Sequence, residues 1–284
     1  MAEKLILNGK DPESAELREE MRSRAEKLFA RIAGLGLPAE PQNNSKDEKT
    51  VKPADMGELI KLLNLETQYV ERLDTLWRFG FLAESGDTKK GDIAPPDFEK
   101  VLAGFKPEEL EIAKNYQKPV LLLVPENSFS AKVAAIDSHR VHNQSATYLD
   151  PVYGNTDSGS EKITGYRAWV VDGAQEMGLY KGDDVGLELA DRIRNRKSAR
   201  KPYEKGIDRH IFIMLMMESI KNGEPIDQES YTLLDDDFAL SADCIPAGVW
   251  ERNGHAVSFG WVSHDGISPD VRLRSSVGGD VLIV

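Results

Sequence analysis

Pro119-Val120-Leu121-Leu122-Leu123-Val124-Pro125 is the stretch at which this chain changes character. An unbroken apolar run of five residues closed at each end by proline suits a strand covered on both faces. Upstream of it the apolar residues recur at helical spacing. Downstream they fall into short runs and alternations.

Working back toward the N-terminus, Asp11-Pro12-Glu13 supplies an N-cap, a first-turn proline and a first-turn acid. Leu17, Met21, Leu28 and Ile32 then predict an amphipathic helix that stops at Gly34. Residues 38–53 hold polar residues between prolines without core-forming periodicity, which predicts a loop. Leu59, Leu62, Leu63, Val70, Leu73 and Trp77 predict two short helices or one kinked helix ending at Gly80. Phe98, Val101 and Leu102 mark a short helix, and Pro107 opens another through Leu110, Ala113 and Tyr116. Residues 1–118 are therefore expected to be a helical region.

Working forward, Ser128 is placed to cap a helix carrying Phe129, Val133 and Ile136. The polar run from His142 to Lys162 predicts an exposed excursion, and Tyr166 to Val171 a second buried strand. Leu187, Leu189 and Ile193 support a helix with a basic C-terminal half. Asp208 precedes a helix whose Ile211 to Met217 run is apolar nearly all round, which places it in the middle of the fold, ending at Gly223. Val257, Phe259 and Trp261 alternate beside the hairpin signal Asn253-Gly254, with further strands expected near Val271 to Leu273 and Val281 to Val284 as an antiparallel meander. The expected class is α+β, with a helical N-terminal region and an α+β domain over residues 119–284.

Composition narrows the function classes. The 284 residues are 40% hydrophobic and 30% charged, ordinary for a globular chain. A formal net charge of −12 sets a field that repels nucleic acid and anionic membranes unless positive charge is concentrated locally. The single Cys244 excludes an intrachain disulfide and fits a reducing compartment, so a cytoplasmic location is expected. The apolar run near the N-terminus, Leu5-Ile6-Leu7, is too short for a signal peptide. The longest strongly apolar run, Ile211 to Met217, falls far short of the roughly 20 residues that span a bilayer.

Five constellations are candidates for chemistry. Arg192, Arg194, Arg196, Lys197, Arg200 and Lys201 form a basic ridge that could track a phosphate backbone, or else complement a helix C-terminus and pair with nearby acids. Asp235, Asp236 and Asp237 could offer oxygens to a divalent metal, or form a solvated turn. Asp137, His139 and His142 place two imidazoles at helical spacing, needing further ligands such as His255 or His264 for a metal. Arg272 and Arg274 precede Ser275-Ser276-Val277-Gly278-Gly279-Asp280, an arrangement that could bind an anion or make a tight turn. Cys244 could be a nucleophile beside a His, or a small core residue. Gly154 to Ser160 departs from a phosphate loop because Ser160-Glu161 stands where Lys and a hydroxyl residue are needed.

Trp169-Val-Val-Asp-Gly-Ala174, Met214 to Ile220 with Asn222-Gly-Glu-Pro-Ile-Asp227, and Arg274 to Asp280 together resemble a family of proteins from small-genome bacterial lineages. That family has no assigned activity, so the resemblance implies an intracellular bacterial origin and carries over no functional residue. It covers the second half of the chain only.

Without a catalytic signature, the expected function is an intracellular interaction or assembly protein that engages a protein partner or copies of itself. The competing expectation is a divalent-metal hydrolase using Asp235 to Asp237 with a histidine. A third is nucleic-acid binding through Arg192 to Lys201.

Overall fold

The computed structural model describes residues 55–83, 88–138, 147–149, 159–174, 189–223, 230–235, 244–251, 256–263 and 271–284. They belong to a compact unit, Pro53–Val284. The helix expected over Leu17 to Ile32 and the loop 38–53 lie outside the described residues.

Helix α1 spans Met56–Leu62 and α2 spans Leu65–Arg78. They are two helices because Asn64 takes a left-handed φ of 52° between them, a conformation Asn tolerates better than most residues. Asp55 caps α1 by accepting from the Gly57 amide at 3.0 Å. Helix α3, Phe98–Ala103, and α4, Pro107–Ala113, follow. The Glu109 carboxylate accepts from the Lys106 amide at 2.7 Å and fixes the entry to α4.

Strand β1 is Pro119–Pro125, buried from Leu121 onward as its apolar run predicts. Helix α5, Phe129–Ser138, is capped by Ser128, whose Oγ accepts from the Ala131 amide at 3.1 Å. Strands β2, Thr147–Leu149, and β3, Tyr166–Asp172, precede helix α6, Leu189–Ser198. Helix α7, Arg209–Asn222, starts at Asp208, which accepts from the Ile211 amide at 2.8 Å, and stops at Gly223 with φ 72°. Strands β4, Tyr231–Leu233, β5, Cys244–Glu251, β6, Ala256–Ser263, β7, Val271–Arg272, and β8, Ser276–Gly278, complete the described elements. Helices and mixed or antiparallel sheets make the fold α+β. Among the described residues no helix is long and apolar enough to cross a membrane.

The first sheet has the order β1-β3-β8 and is antiparallel throughout. Its outer edge is closed by side chains of α2. Gln68 donates to the Pro119 carbonyl at 3.2 Å and accepts from the Leu121 amide at 2.7 Å, while Arg72 donates to the Leu121 carbonyl at 3.1 Å. The first half of an edge that would otherwise offer open backbone groups is thus satisfied by side chains rather than by another strand. On the other side, Lys205 exchanges two backbone hydrogen bonds of 2.8 Å with Ser276.

The second sheet has the order β2-β6-β5-β4-β7. Successive residues of a strand face opposite ways, so Gly248 and its register partner Phe259 share one face and Ala247 takes the other. Phe212 of α7 lies edge-on to Phe259 with centroids 5.5 Å apart, covering the first face. Ile193 of α6 joins Leu233, Ala247, Val271 and Leu273 in a buried cluster on the second. Helix α7, buried continuously from Ile211 to Ser219, is therefore the central element that the sequence predicts.

The expected meander holds only for the hairpin pair β5–β6, which runs from Cys244↔Ser263 to Glu251↔Ala256. Strand β7 instead pairs parallel with β4, and β8 crosses to pair with β3. A turn signal informs only the two strands that it joins. The positions of β7 and β8 follow from burying Val271 and Leu273 beside Ile193 and Val277 beside Val170. The expected C-terminal strand near Val281 to Val284 reduces to one bridge between Ile283 and Tyr166.

Candidate functional site

The structure brings two of the sequence candidates together. Helix α6 seats Ile193 in the core, and beyond it Lys197 and Arg200 converge on Asp235. The Lys197 ammonium lies 2.5 Å from Asp235 Oδ1, and Arg200 Nη1 lies 2.7 Å from Oδ2. Burial pushes the Asp235 carboxyl up, yet the hydrogen bonds and charges of Lys197 and Arg200 outweigh it and hold the group below its ordinary range. Gly206 makes the approach possible, since a Cβ there would fall 2.1 Å from Asp235 Oδ2. Arg194 pairs with Asp191 at 2.8 Å on the same helix. Arg192 and Arg196 lie on α6, their side chains outside the described residues.

The other candidates scatter. Asp236, Asp237, His139, His142, His255 and His264 lie outside the described residues, as does the Cys244 side chain. Asp137 ends α5. Among the described residues no group of three or more His, Cys, Asp or Glu side chains could hold a metal ion. Arg274 is 1% exposed and donates to the Asp172 carbonyl at 2.9 Å. Arg272, partly buried on β7, faces Thr232 in register.

A second ionic cluster lies inside the fold. Arg72 Nη2 and Lys221 Nζ stand 3.0 and 3.1 Å from Glu218 Oε2, with all three side chains buried. Lys221 also donates to the Glu71 carbonyl and the Thr75 hydroxyl. These bonds fasten α2 to α7, and on the solvent side Arg72 also pairs with the half-exposed Glu71 carboxylate at 2.9 Å.

The remaining chemistry gathers at one surface corner that the sequence reading passes over. Lys201-Pro202-Tyr203-Glu204 is a turn in which the Glu204 amide donates to the Lys201 carbonyl at 3.0 Å. Pro202 sits where a type II turn favours proline, and Tyr203 where it requires positive φ and takes glycine. Tyr203 indeed has φ 72°. For a bulky side chain this conformation costs about 1–2 kcal/mol. Burial does not recover that cost, because Tyr203 is 43% exposed. The Glu204 carboxylate accepts from the Lys201 amide at 3.0 Å and holds the turn closed.

One cation stands over this ring, and a second joins it through Asp280. The Lys106 ammonium lies 4.7 Å from the centre of the Tyr203 ring and 3.8 Å from Asp280. Lys205 pairs with the same Asp280 carboxylate, donates to the Gly278 carbonyl at 2.9 Å and lies 5.2 Å from the Trp169 ring centre. Arg167 donates to the Gly279 carbonyl at 2.7 Å and pairs with Glu126 at 2.9 Å. The Lys205 hydrogen bond, chiefly, with the charges of Lys205, Lys106 and Arg167, holds the Asp280 carboxyl below its ordinary range. Gly279, with φ 74°, is required here because a Cβ would meet the Trp169 indole at 1.9 Å.

No protein family, curated protein or solved structure matches this chain. The reading of the corner rests on its own geometry. Its turn was visible in Lys201-Pro202, but nothing local in the sequence joins residues 106, 167, 203, 205 and 280; only pairing of β8 with β3 and the Lys205–Ser276 bridge does so.

Proposed function

We propose that this chain is a non-catalytic, cytoplasmic binding module whose corner of Lys106, Arg167, Tyr203, Lys205 and Asp280 receives an anionic partner. One observation carries the reading: an exposed tyrosine is held at φ 72° in a glycine position of a turn, with the Lys106 ammonium 4.7 Å from its ring centre. Unfavourable backbone geometry that no core contact compensates is most simply explained by what the side chain does at the surface. The commitment of Lys197 and Arg200 to Asp235 supports a structural role for that stretch, which seats α6 on the sheet. It removes two cations from the ridge that a phosphate backbone would need.

Calorimetric titration at low salt against polyglutamate, polyphosphate and oligothymidylate tests this reading. At least one polyanion is expected to bind, more weakly as salt rises, and to lose affinity when Lys106→Ala and Lys205→Met are combined. Absence of binding by all three would sink the proposal.

A further inference from the structure

The corner offers two chemistries side by side, and the ligand has to satisfy both. Tyr203 presents an aromatic ring, 43% exposed, with the Lys106 ammonium 4.7 Å from its centre. Lys106 and Lys205 bracket the single carboxylate of Asp280. Lys106, Arg167 and Lys205 pair with two carboxylates, Glu126 and Asp280, while the Glu204 carboxylate of the turn is held on the Lys201 amide and the Glu109 carboxylate on the Lys106 amide. An acidic peptide would use the ammonium groups and leave the ring idle. An uncharged aromatic would use the ring and leave the ammonium groups idle.

A nucleotide unit carries a flat base and a phosphate on one short scaffold. Stacking of a base on an aromatic side chain tolerates any base, because each has a π face. A base inside a duplex presents no free face, so only a free nucleotide or a single strand can use the ring. Resting on the binding reading above, we infer that the corner takes a nucleotide unit, its base against Tyr203 and its phosphate against Lys106 and Lys205. The phosphate then competes with the Asp280 carboxylate for both ammonium groups. With two such contacts to a single strand, the logarithm of affinity falls against the logarithm of salt with a slope of about −1.4.

The test uses the full chain at low salt and four probes: oligothymidylate, an abasic strand of equal length, polyglutamate and thymidine monophosphate. Oligothymidylate is expected to bind about tenfold more tightly than the abasic strand. Tyr203→Ala should erase that difference without changing the melting temperature much, and Tyr203→Phe should keep it. Lys106→Ala should weaken both strands alike. Competition by thymidine monophosphate supports the free nucleotide as the source; binding of the oligonucleotide without such competition supports the single strand. Equal affinity for the two strands, or tighter binding of polyglutamate, overturns the nucleotide assignment and leaves the binding module standing. If no probe binds, the nucleotide assignment falls, and if polyphosphate fails as well the binding module falls with it.

Discussion

Arg72 of α2 and Glu218 of α7 meet at 3.0 Å with both side chains buried. Neither Glu218 oxygen has an aligned hydrogen bond, so the carboxylate is compensated by the charges of Arg72 and Lys221 rather than by directed donors. Such a pair is costly to break and cheap to replace as a whole. Glu218→Ala is expected to lose up to about 3–5 kcal/mol in urea unfolding, because buried Arg72 and Lys221 both lose the carboxylate between them and Arg72 keeps only the half-exposed Glu71 as a close ion-pair partner. Arg72→Met combined with Glu218→Leu should recover part of that loss, because buried Lys221 keeps Asp74 at 4.0 Å but loses Glu218, and about 1 kcal/mol goes with the bond from Arg72 to the Leu121 carbonyl. A double variant no more stable than Glu218→Ala would show that packing, not charge, governs this contact.

Asp235 gives the pH dependence. Lys197 and Arg200 hold its folded carboxyl below the ordinary aspartate range, against the opposing effect of burial. A depressed folded pKa contributes stability that is present above the unfolded value and is lost as pH falls through the folded one. Acid unfolding below about pH 3.8 should therefore be less steep in Asp235→Asn than in the wild-type chain, while neutral stability drops. Parallel acid limbs in the two proteins would remove Asp235 from the account.

Gly248 should behave as a packing constraint. A Cβ there would meet the Phe212 ring at 2.4 Å, so Gly248→Ala forces the ring of the central helix away from Phe259. A loss of about 1–3 kcal/mol is expected. Phe212→Leu in the same chain should make the alanine nearly neutral, a coupling that thermal unfolding of the single and double variants will reveal. Additive losses would mean that Phe212 and residue 248 do not share the space.

Local signals made much of the fold legible. Pro119 to Pro125 announced a buried strand, Ser128 and Asp208 announced the helices that they cap, and Ile211 to Met217 announced a central helix. These features depend on residues close in sequence. The pairing of β7 with β4 and β8 with β3 depends on which apolar faces find each other across the chain, and no neighbouring residue encodes it. The same limit applies to function. Lys197 and Asp235 stood out separately, as a basic run and an acidic run, and only the fold brings them within 2.5 Å. Tyr203 carried no signal beyond Pro202 before it, because the oddity is its φ of 72° and the company of Lys106, far away in the chain.

The most direct test of the central claim is to measure the melting temperature and polyanion affinity of Tyr203→Gly together. Glycine fits the turn without strain, so the melting temperature should hold or rise, with up to about 1–2 kcal/mol of strain relieved less glycine's own entropic cost. Affinity for oligothymidylate should fall. A lowered melting temperature with unchanged affinity would contradict the account, making Tyr203 a structural residue and the corner an ordinary surface.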